Sequence, residues 1–248
     1  MIKAIIIDDE RLARRELKSL LKKQDDIDIL DEAGNADEAL EKIQELSPDL
    51  LFLDIQMPEK TGFELLEMLP TVPHVIFTTA YDEYALKAFE INALDYLLKP
   101  IEPKLLEAAV QKVRSLIEQL PEKQKGASAS KPEKGQYFTE TDQVFVKDGE
   151  KCWFVHLKDI RLLESDGNYV KVYFDKSRPL IHRSLNALDE KLDSKMFFRA
   201  SRKYIINLKW IEKIEPWFNG GLMVTLKGDE RIEISRRQAA KFKERLSL

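Results

Sequence analysis

Cysteine is almost missing from this chain of 248 residues: Cys152 stands alone, so no internal disulfide can form, and a reducing compartment fits. Long apolar runs are missing as well. No stretch approaches the length of roughly 20 residues that a bilayer requires of a helix. The first apolar run, Ala4 to Ile7, is stopped at once by acids, which rules against a signal peptide. Together these absences lead to the expectation of a cytoplasmic protein with no membrane contact. Histidine is scarce: His74, His156 and His182 lie far apart and lack ligand spacing with Cys152, which argues against a zinc site.

What is present divides unevenly. The composition is that of a globular protein, 44% hydrophobic and 34% charged, and the length suits one or two domains. The net charge of −4 hides a split: residues 1–120 carry 14 basic against 25 acidic side chains, and residues 121–248 carry 26 against 19. An acidic first half suits a cation held by carboxylates, and a basic second half suits a polyanion such as nucleic acid.

Within the acidic half, LLFLDIQMP at Leu50–Pro58 reads as a strand buried on both faces that ends in Asp54, with a turn forced by Pro58. By itself Asp54 serves equally well as a turn opener. KAIIIDDE adds Asp8 and Asp9 after another short apolar run, and three carboxylates at neighbouring strand ends repel one another unless a cation sits among them. A hard divalent ion such as Mg²⁺ suits so open an oxygen site. VIFTTAY supplies the hydroxyls of Thr78 and Thr79, and DYLLKP delivers Lys99 just before Pro100.

These four motifs resemble the response-regulator receiver domain over roughly residues 2–120. The resemblance implies that Asp54 is the phospho-acceptor, with Asp8, Asp9 and the backbone carbonyl of Gln56 as further Mg²⁺ ligands. It also implies Thr79 as the switch hydroxyl, Lys99 as the phosphate-pairing lysine, and Tyr96 as the aromatic that moves with the switch. A sensor histidine kinase is the implied donor, and a homodimer the implied phosphorylated state.

Periodicity in this half predicts five βα units: helices over 10–23, 36–47, 63–69, 82–91 and 103–120, with strands at 4–7, 27–33, 50–54, 74–79 and 95–98. Asn35 with Glu38 predicts a capping box. Such alternation gives a doubly wound five-stranded parallel sheet. Residues 121–136, PEKQKGASASKPEKGQ, lack large apolar side chains and are expected to form a flexible linker.

From about residue 137 the grammar becomes that of a mostly antiparallel β domain. Asp148-Gly149 lies between apolar runs as a hairpin signal, and Ser165-Asp166-Gly167-Asn168 separates a strand over 160–164 from one over 169–174. Ser184 is placed to cap a short helix carrying Leu185, Leu188 and Leu192. Further strands are expected at 204–207, 211–218, 222–226 and 230–234, and Ser235 with Gln238 is placed to open a terminal helix. Trp153, Trp210 and Trp217 fall on strand patterns and read as core or sheet-face residues rather than base-stacking platforms.

No recognition helix stands out here; basic residues cluster instead at turns and strand ends, at Arg199, Arg202 and Lys203, and at Arg236 and Arg237. LLESDGNYVKVYF, FFRASRKYIINL and ISRRQ resemble the LytTR DNA-binding domain of the LytR/AlgR family of response regulators, over roughly residues 138–246. That resemblance implies double-stranded DNA with direct repeats as the partner, contacted by Asn168, Tyr169, Arg202, Lys203 and Arg237. The expected protein is therefore a phosphorylation-controlled transcriptional regulator rather than an enzyme that turns over a separate substrate. An aspartyl-phosphate phosphatase is the rival from the enzyme class, but its further acid two residues after the nucleophile is here Gln56. An RNA- or protein-binding role for the basic half is the other alternative.

Overall fold

The computed structural model describes residues 1–80, 95–118, 138–149 and 151–246. The helix expected over 82–91 and the linker expected over 121–136 lie outside the described residues. The chain divides into two compact units. None of the described helices is long and apolar enough to cross a membrane.

In the first unit β1 (Ile2–Ile7), β2 (Ile27–Ala33), β3 (Leu50–Asp54), β4 (His74–Thr79) and β5 (Asp95–Leu98) form one sheet in the order β2-β1-β3-β4-β5. Every pairing in it is parallel. The chain steps from β1 to β2 in one direction and returns past β1 to β3 in the other. Loops after β1 and β3 therefore diverge and leave a crevice at the carboxyl end of the sheet.

Among the described residues four helices accompany this sheet: α1 (Arg11–Leu21), α2 (Ala36–Leu46), α3 (Gly62–Met68) and α4 (Pro103–Glu118). Because strand side chains alternate, Ala4 and Ile6 of β1 and Leu50 and Phe52 of β3 share one face with Leu17, Leu21, Leu106, Val110 and Val113 in a single core. Phe77, on the opposite parity, meets Phe63 of α3 edge-on at 5.2 Å between ring centroids. All five residues of β3 are buried, as its unbroken apolar run requires.

Caps set the helix starts. Asn35 accepts from the Glu38 amide at 2.9 Å, but the Glu38 carboxylate turns to the amide of Gly34 rather than completing the expected reciprocal bond. The complete capping box lies instead at Thr61 and Glu64, where α3 begins. Thr61 thereby aims the first turn of α3 at the end of β3.

The second unit is built from antiparallel strands. β8 (Leu162–Asp166), β9 (Tyr169–Tyr173), β10 (Leu180–Ile181), β11 (Phe197–Arg199) and β12 (Tyr204–Asn207) make a sheet in the order β10-β9-β8-β12-β11. A second sheet joins β13 (Ile211–Pro216), β14 (Leu222–Leu226) and β15 (Arg231–Ile234). Ahead of both in sequence come β6 (Gln143–Asp148), in this unit, and β7 (Lys151–His156), of which residues 151–154 fall in the first unit. Between the two sheets, Leu162, Phe198, Ile206, Val224, Leu226 and Ile232 pack with Ala239 and Phe242 of α6 (Arg236–Leu246). Full burial of a side chain such as Phe242 contributes roughly 1.5–3 kcal/mol.

Three expectations shift. The strand expected from Ile160 starts at Leu162, since Leu157–Asp159 forms a 3₁₀ turn whose carbonyl at Leu157 takes the Ile160 amide. The strand expected to run to Phe218 stops at Pro216, because Trp217 and Gly221 close a tight loop. Ser184 does cap α5 (Leu185–Asp189), accepting from the Ala187 amide, but Leu192 lies beyond that helix. β10 and β11 are too short to have shown a period of two.

Candidate functional site

The crevice of the first unit gathers residues from three strand ends. Asp8 follows β1, Asp54 closes β3, and Lys99 directly follows β5 and precedes a cis peptide to Pro100. Lys99 Nζ lies 2.7 Å from Asp8 Oδ2 and 2.6 Å from Asp54 Oδ2. One ammonium thus bridges two buried carboxylates, while Asp9 beside them is exposed. One oxygen from each of Asp8, Asp9 and Asp54 falls within 4.8 Å of the others, a donor set of hard oxygens that suits a small divalent cation.

Backbone amides hold these acids in place. The Glu10 amide donates to Asp8 Oδ1 at 2.9 Å, and the Gln56 amide donates to Asp54 Oδ1 at 3.1 Å. Arg14, a residue with no sequence motif to flag it, donates to the Asp8 carbonyl at 2.6 Å while its Nε reaches Glu32. It clamps the β1–α1 loop from behind.

Burial pushes the Asp8 and Asp54 carboxyls above the usual aspartate range, against the downward pull of Lys99 on both. For Lys99 itself burial works to lower the ammonium, but the hydrogen bonds it donates to Asp54 and Asp8 outweigh this and the net shift is upward. Three carboxylates thus gather around one lysine, an arrangement that suits a further cation.

Thr78 and Thr79 are separated by the sheet. Thr78 stands in register with Asp54, and as consecutive residues on β4 the two hydroxyls point to opposite faces. Both are buried, and among the described residues Thr79 Oγ1 is the buried side-chain atom that has no hydrogen-bond partner. A buried hydroxyl left so costs about 1–3 kcal/mol, which an added acceptor oxygen would recover. Tyr96, half-buried on β5, is in register with Phe77 of β4.

At one end of the second unit the other basic candidates converge. β8 and β12 are antiparallel, with Tyr204 opposite Glu164, so the Gly167-Asn168 turn after β8 lies beside residues 200–203 before β12. The Ser165 amide donates to the Lys203 carbonyl at 2.8 Å and ties the two together. Gly167 has φ +62°, the left-handed conformation that a two-residue hairpin turn needs. Gln238, in the first turn of α6, donates to the Arg199 carbonyl at 3.2 Å and brings Arg236 and Arg237 to the same end.

Asn168, Tyr169, Arg202, Lys203 and Arg237 are all exposed there. Arg199 has a different place. Its guanidinium donates to the carbonyls of Ser201, Leu185 and Arg202 and to Asn186 Oδ1, at 2.7–3.1 Å, so it builds the turn from inside. Glu164 is the residue sequence reasoning passed over: it lies under the same turn, paired with Lys203 at 2.9 Å.

A carboxylate crevice at the switch point of a doubly wound sheet, joined in one chain to an antiparallel β unit with a basic end, defines a receiver coupled to an output module. Residues 4–111 match the response regulator receiver domain, and residues 150–247 match the LytTr DNA-binding domain. The chain is 34% identical over 248 residues to the sensory transduction protein LytT of Enterococcus faecalis, covering 98% of each. It is also 34% identical over 255 residues to the sensory transduction protein LytR of Staphylococcus epidermidis, covering 100% of each. The response regulatory domain of protein mrkE from Klebsiella pneumoniae aligns with a TM-score of 0.44 at 33% identity, over 48% of this chain and 100% of that one. The chain belongs to the LytT/LytR family of two-component response regulators, with a receiver domain followed by a LytTR DNA-binding domain. It is a transcription regulator of that type.

Proposed function

We propose that Asp54 is the phospho-acceptor of this regulator and that its phosphorylation controls promoter binding by the C-terminal domain. A carboxylate oxygen of Asp54 attacks the phosphorus of a phosphohistidine on a sensor kinase. The P–N bond breaks, an acyl phosphate forms on Asp54, and the departing imidazole takes up a proton. Lys99, already on Asp54 and Asp8, stays to pair with the new dianion. Thr79 donates its hydroxyl to a phosphoryl oxygen, and Tyr96 turns inward into the space that this movement leaves. Mg²⁺ held by Asp8, Asp9, Asp54 and the Gln56 carbonyl would screen the charge between nucleophile and phosphoryl group. The observation that carries this reading is the partnerless, buried Thr79 hydroxyl at the end of the strand paired with the Asp54 strand.

Residues 1–120 would act as the receiver, 121–136 as a tether and 137–248 as the output domain, in the cytoplasm. Phosphorylation would pair two receivers through the surface that includes β5 and α4. Exposed Leu105 and Leu116 of α4, three turns apart and so on one stripe, support that choice. Two output domains would then sit on direct repeats of double-stranded DNA, with Asn168, Tyr169, Arg202 and Arg237 toward the duplex. The gain in affinity comes from multivalency rather than from new base contacts.

The test compares wild type with Asp54→Asn, with and without acetyl phosphate and Mg²⁺, for molecular mass in solution and for binding to a random pool of duplexes. Phosphate-dependent dimers and selected direct repeats in the wild type alone are the expected result. Equal behaviour of the two proteins would sink the proposal.

A further inference from the structure

The basic end of the second unit carries an acid at its centre. Glu164 on β8 stands in register with Lys171 of β9 on one side and Tyr204 of β12 on the other. Its side chain is only 14% exposed. Glu164 Oε1 takes Lys203 Nζ at 2.9 Å and the Tyr204 hydroxyl at 3.3 Å, and Oε2 accepts from the Tyr173 hydroxyl. Lys203 Nζ also lies 5.3 Å from the centroid of the Tyr204 ring, so carboxylate and aromatic face hold it from two sides. Lys171 is likewise engaged, 3.0 Å from Asp166. Among the described residues, neither Arg202 nor Arg237 has an acid within ion-pair distance.

Building on the reading that this end binds duplex DNA, we infer that Glu164 is a positioning residue that withholds Lys203 from phosphate, leaving Arg202 as the single free cation of the 200–203 turn. The reason lies in what a departing Lys203 leaves behind. Two neutral hydroxyls remain on a carboxylate that is mostly removed from water, and that anion then stands directly behind the phosphate that Lys203 has joined. A lysine already neutralised by an internal acid also releases few counterions from the duplex. Phosphate contacts supply the sequence-independent part of DNA affinity, so retaining Lys203 lowers non-specific binding and widens the margin for Arg202 and the Asn168 turn to discriminate sequence. Glu164 acts through Lys203 and touches no DNA itself.

The experiment measures binding of the full chain to a random-sequence duplex between 50 and 200 mM salt for wild type, Glu164→Gln, Lys203→Gln and the double variant. Each phosphate contact contributes about 0.9 to the slope of log affinity against log salt. Lys203→Gln is expected to keep the wild-type slope, Glu164→Gln to steepen it by about 0.9 and tighten binding at low salt, and the double variant to return to wild type. A slope change of that size corresponds to about 3.5-fold more affinity lost across the salt range. A purely structural role for Glu164 would lower thermal stability without steepening the slope.

A Lys203→Gln slope flattened by about 0.9 overturns the inference, since Lys203 would then already be on phosphate. So does a Glu164→Gln slope equal to wild type. The exposed Lys203→Gln variant keeps the inference open to refutation even where Glu164→Gln fails to fold. Absence of any salt-dependent duplex binding by the wild type overturns the DNA-binding reading itself, and is thereby distinguished from failure of the Glu164 inference.

Discussion

A Cβ atom placed on Gly62 would stand 2.3 Å from the carbonyl oxygen of Asp54 and 3.1 Å from Leu53 Cγ. The first residue of α3 is therefore packed on the backbone of the proposed phospho-acceptor, with its amide donating to the Ile55 carbonyl at 2.8 Å. Gly62→Ala forces a main-chain shift at the end of β3, and overpacking of this kind costs about 1–3 kcal/mol. Expected outcomes are a lower melting temperature for the first unit and slower phosphate incorporation from acetyl phosphate. Unchanged melting together with unchanged incorporation would show that α3 moves away freely.

The raised carboxyls of Asp8 and Asp54 set a pH dependence. Because their folded values exceed their unfolded ones, the stability tied to their protons is complete below the unfolded range, near pH 4, and is lost as pH rises through the raised folded values. Asp54→Asn removes part of that loss. With a chelator present, the variant is expected to be more stable than wild type by about 1 kcal/mol at neutral pH, with a flatter profile from pH 4 upward. Mg²⁺ should raise the wild-type melting temperature and raise that of the variant less. Denaturation curves across this range decide it; a variant less stable than wild type at neutral pH refutes the charge argument.

Arg161 and Glu230 form the buried ion pair of the second unit. Arg161 Nη2 lies 2.8 Å from Glu230 Oε1, and Arg161 Nη1 donates to the Asp175 carbonyl at 2.8 Å. Both partners are nearly hidden from water, and a Cβ on Gly228 would meet each of them at 2.4 Å. Removing Arg161 leaves Glu230 with only the more distant Arg178, 3.8 Å from Oε1, and breaking a buried pair costs up to about 3–5 kcal/mol. Arg161→Met should therefore melt the second unit well below wild type, and Arg161→Met with Glu230→Met should recover much of the loss. Calorimetry on the three proteins measures this, and a double variant no better than the single one would refute it.

Arg199 and Arg202 stand three residues apart with opposite duties. Arg199 satisfies three carbonyls and Asn186, so Arg199→Ala leaves acceptors unpaired and is expected to cost about 1–3 kcal/mol along with most DNA affinity. Arg202→Ala should leave melting unchanged and weaken binding, flattening the salt slope by about 0.9 if its contact is to phosphate. Selection from a pool of duplexes with each variant separates the two: relaxed preference at one base position in Arg202→Ala would assign it to a base edge instead.

Much of the first unit was legible in the chain because its signals are local. An apolar run ending in an acid marked β3 and Asp54, the spacing of Leu17 and Leu21 marked α1, and the bounds of β2, β4 and β5 followed from run length alone. Strand ends carrying Asp8, Asp54 and Lys99 were readable for the same reason. Periodicity and capping act over a few residues, so a single sequence determines them. What only the tertiary structure decided depends on sheet order and register. The parity of β4 separated Thr78 from Thr79, and the order β1-β3-β4-β5 let one lysine bridge two aspartates from other strands. Pairing of β8 with β12 put Glu164 beneath Lys203, and Arg161 met Glu230 across 69 positions of chain. Each of these contacts joins residues that share no local pattern, and their energies arise only when burial removes water from around the charges.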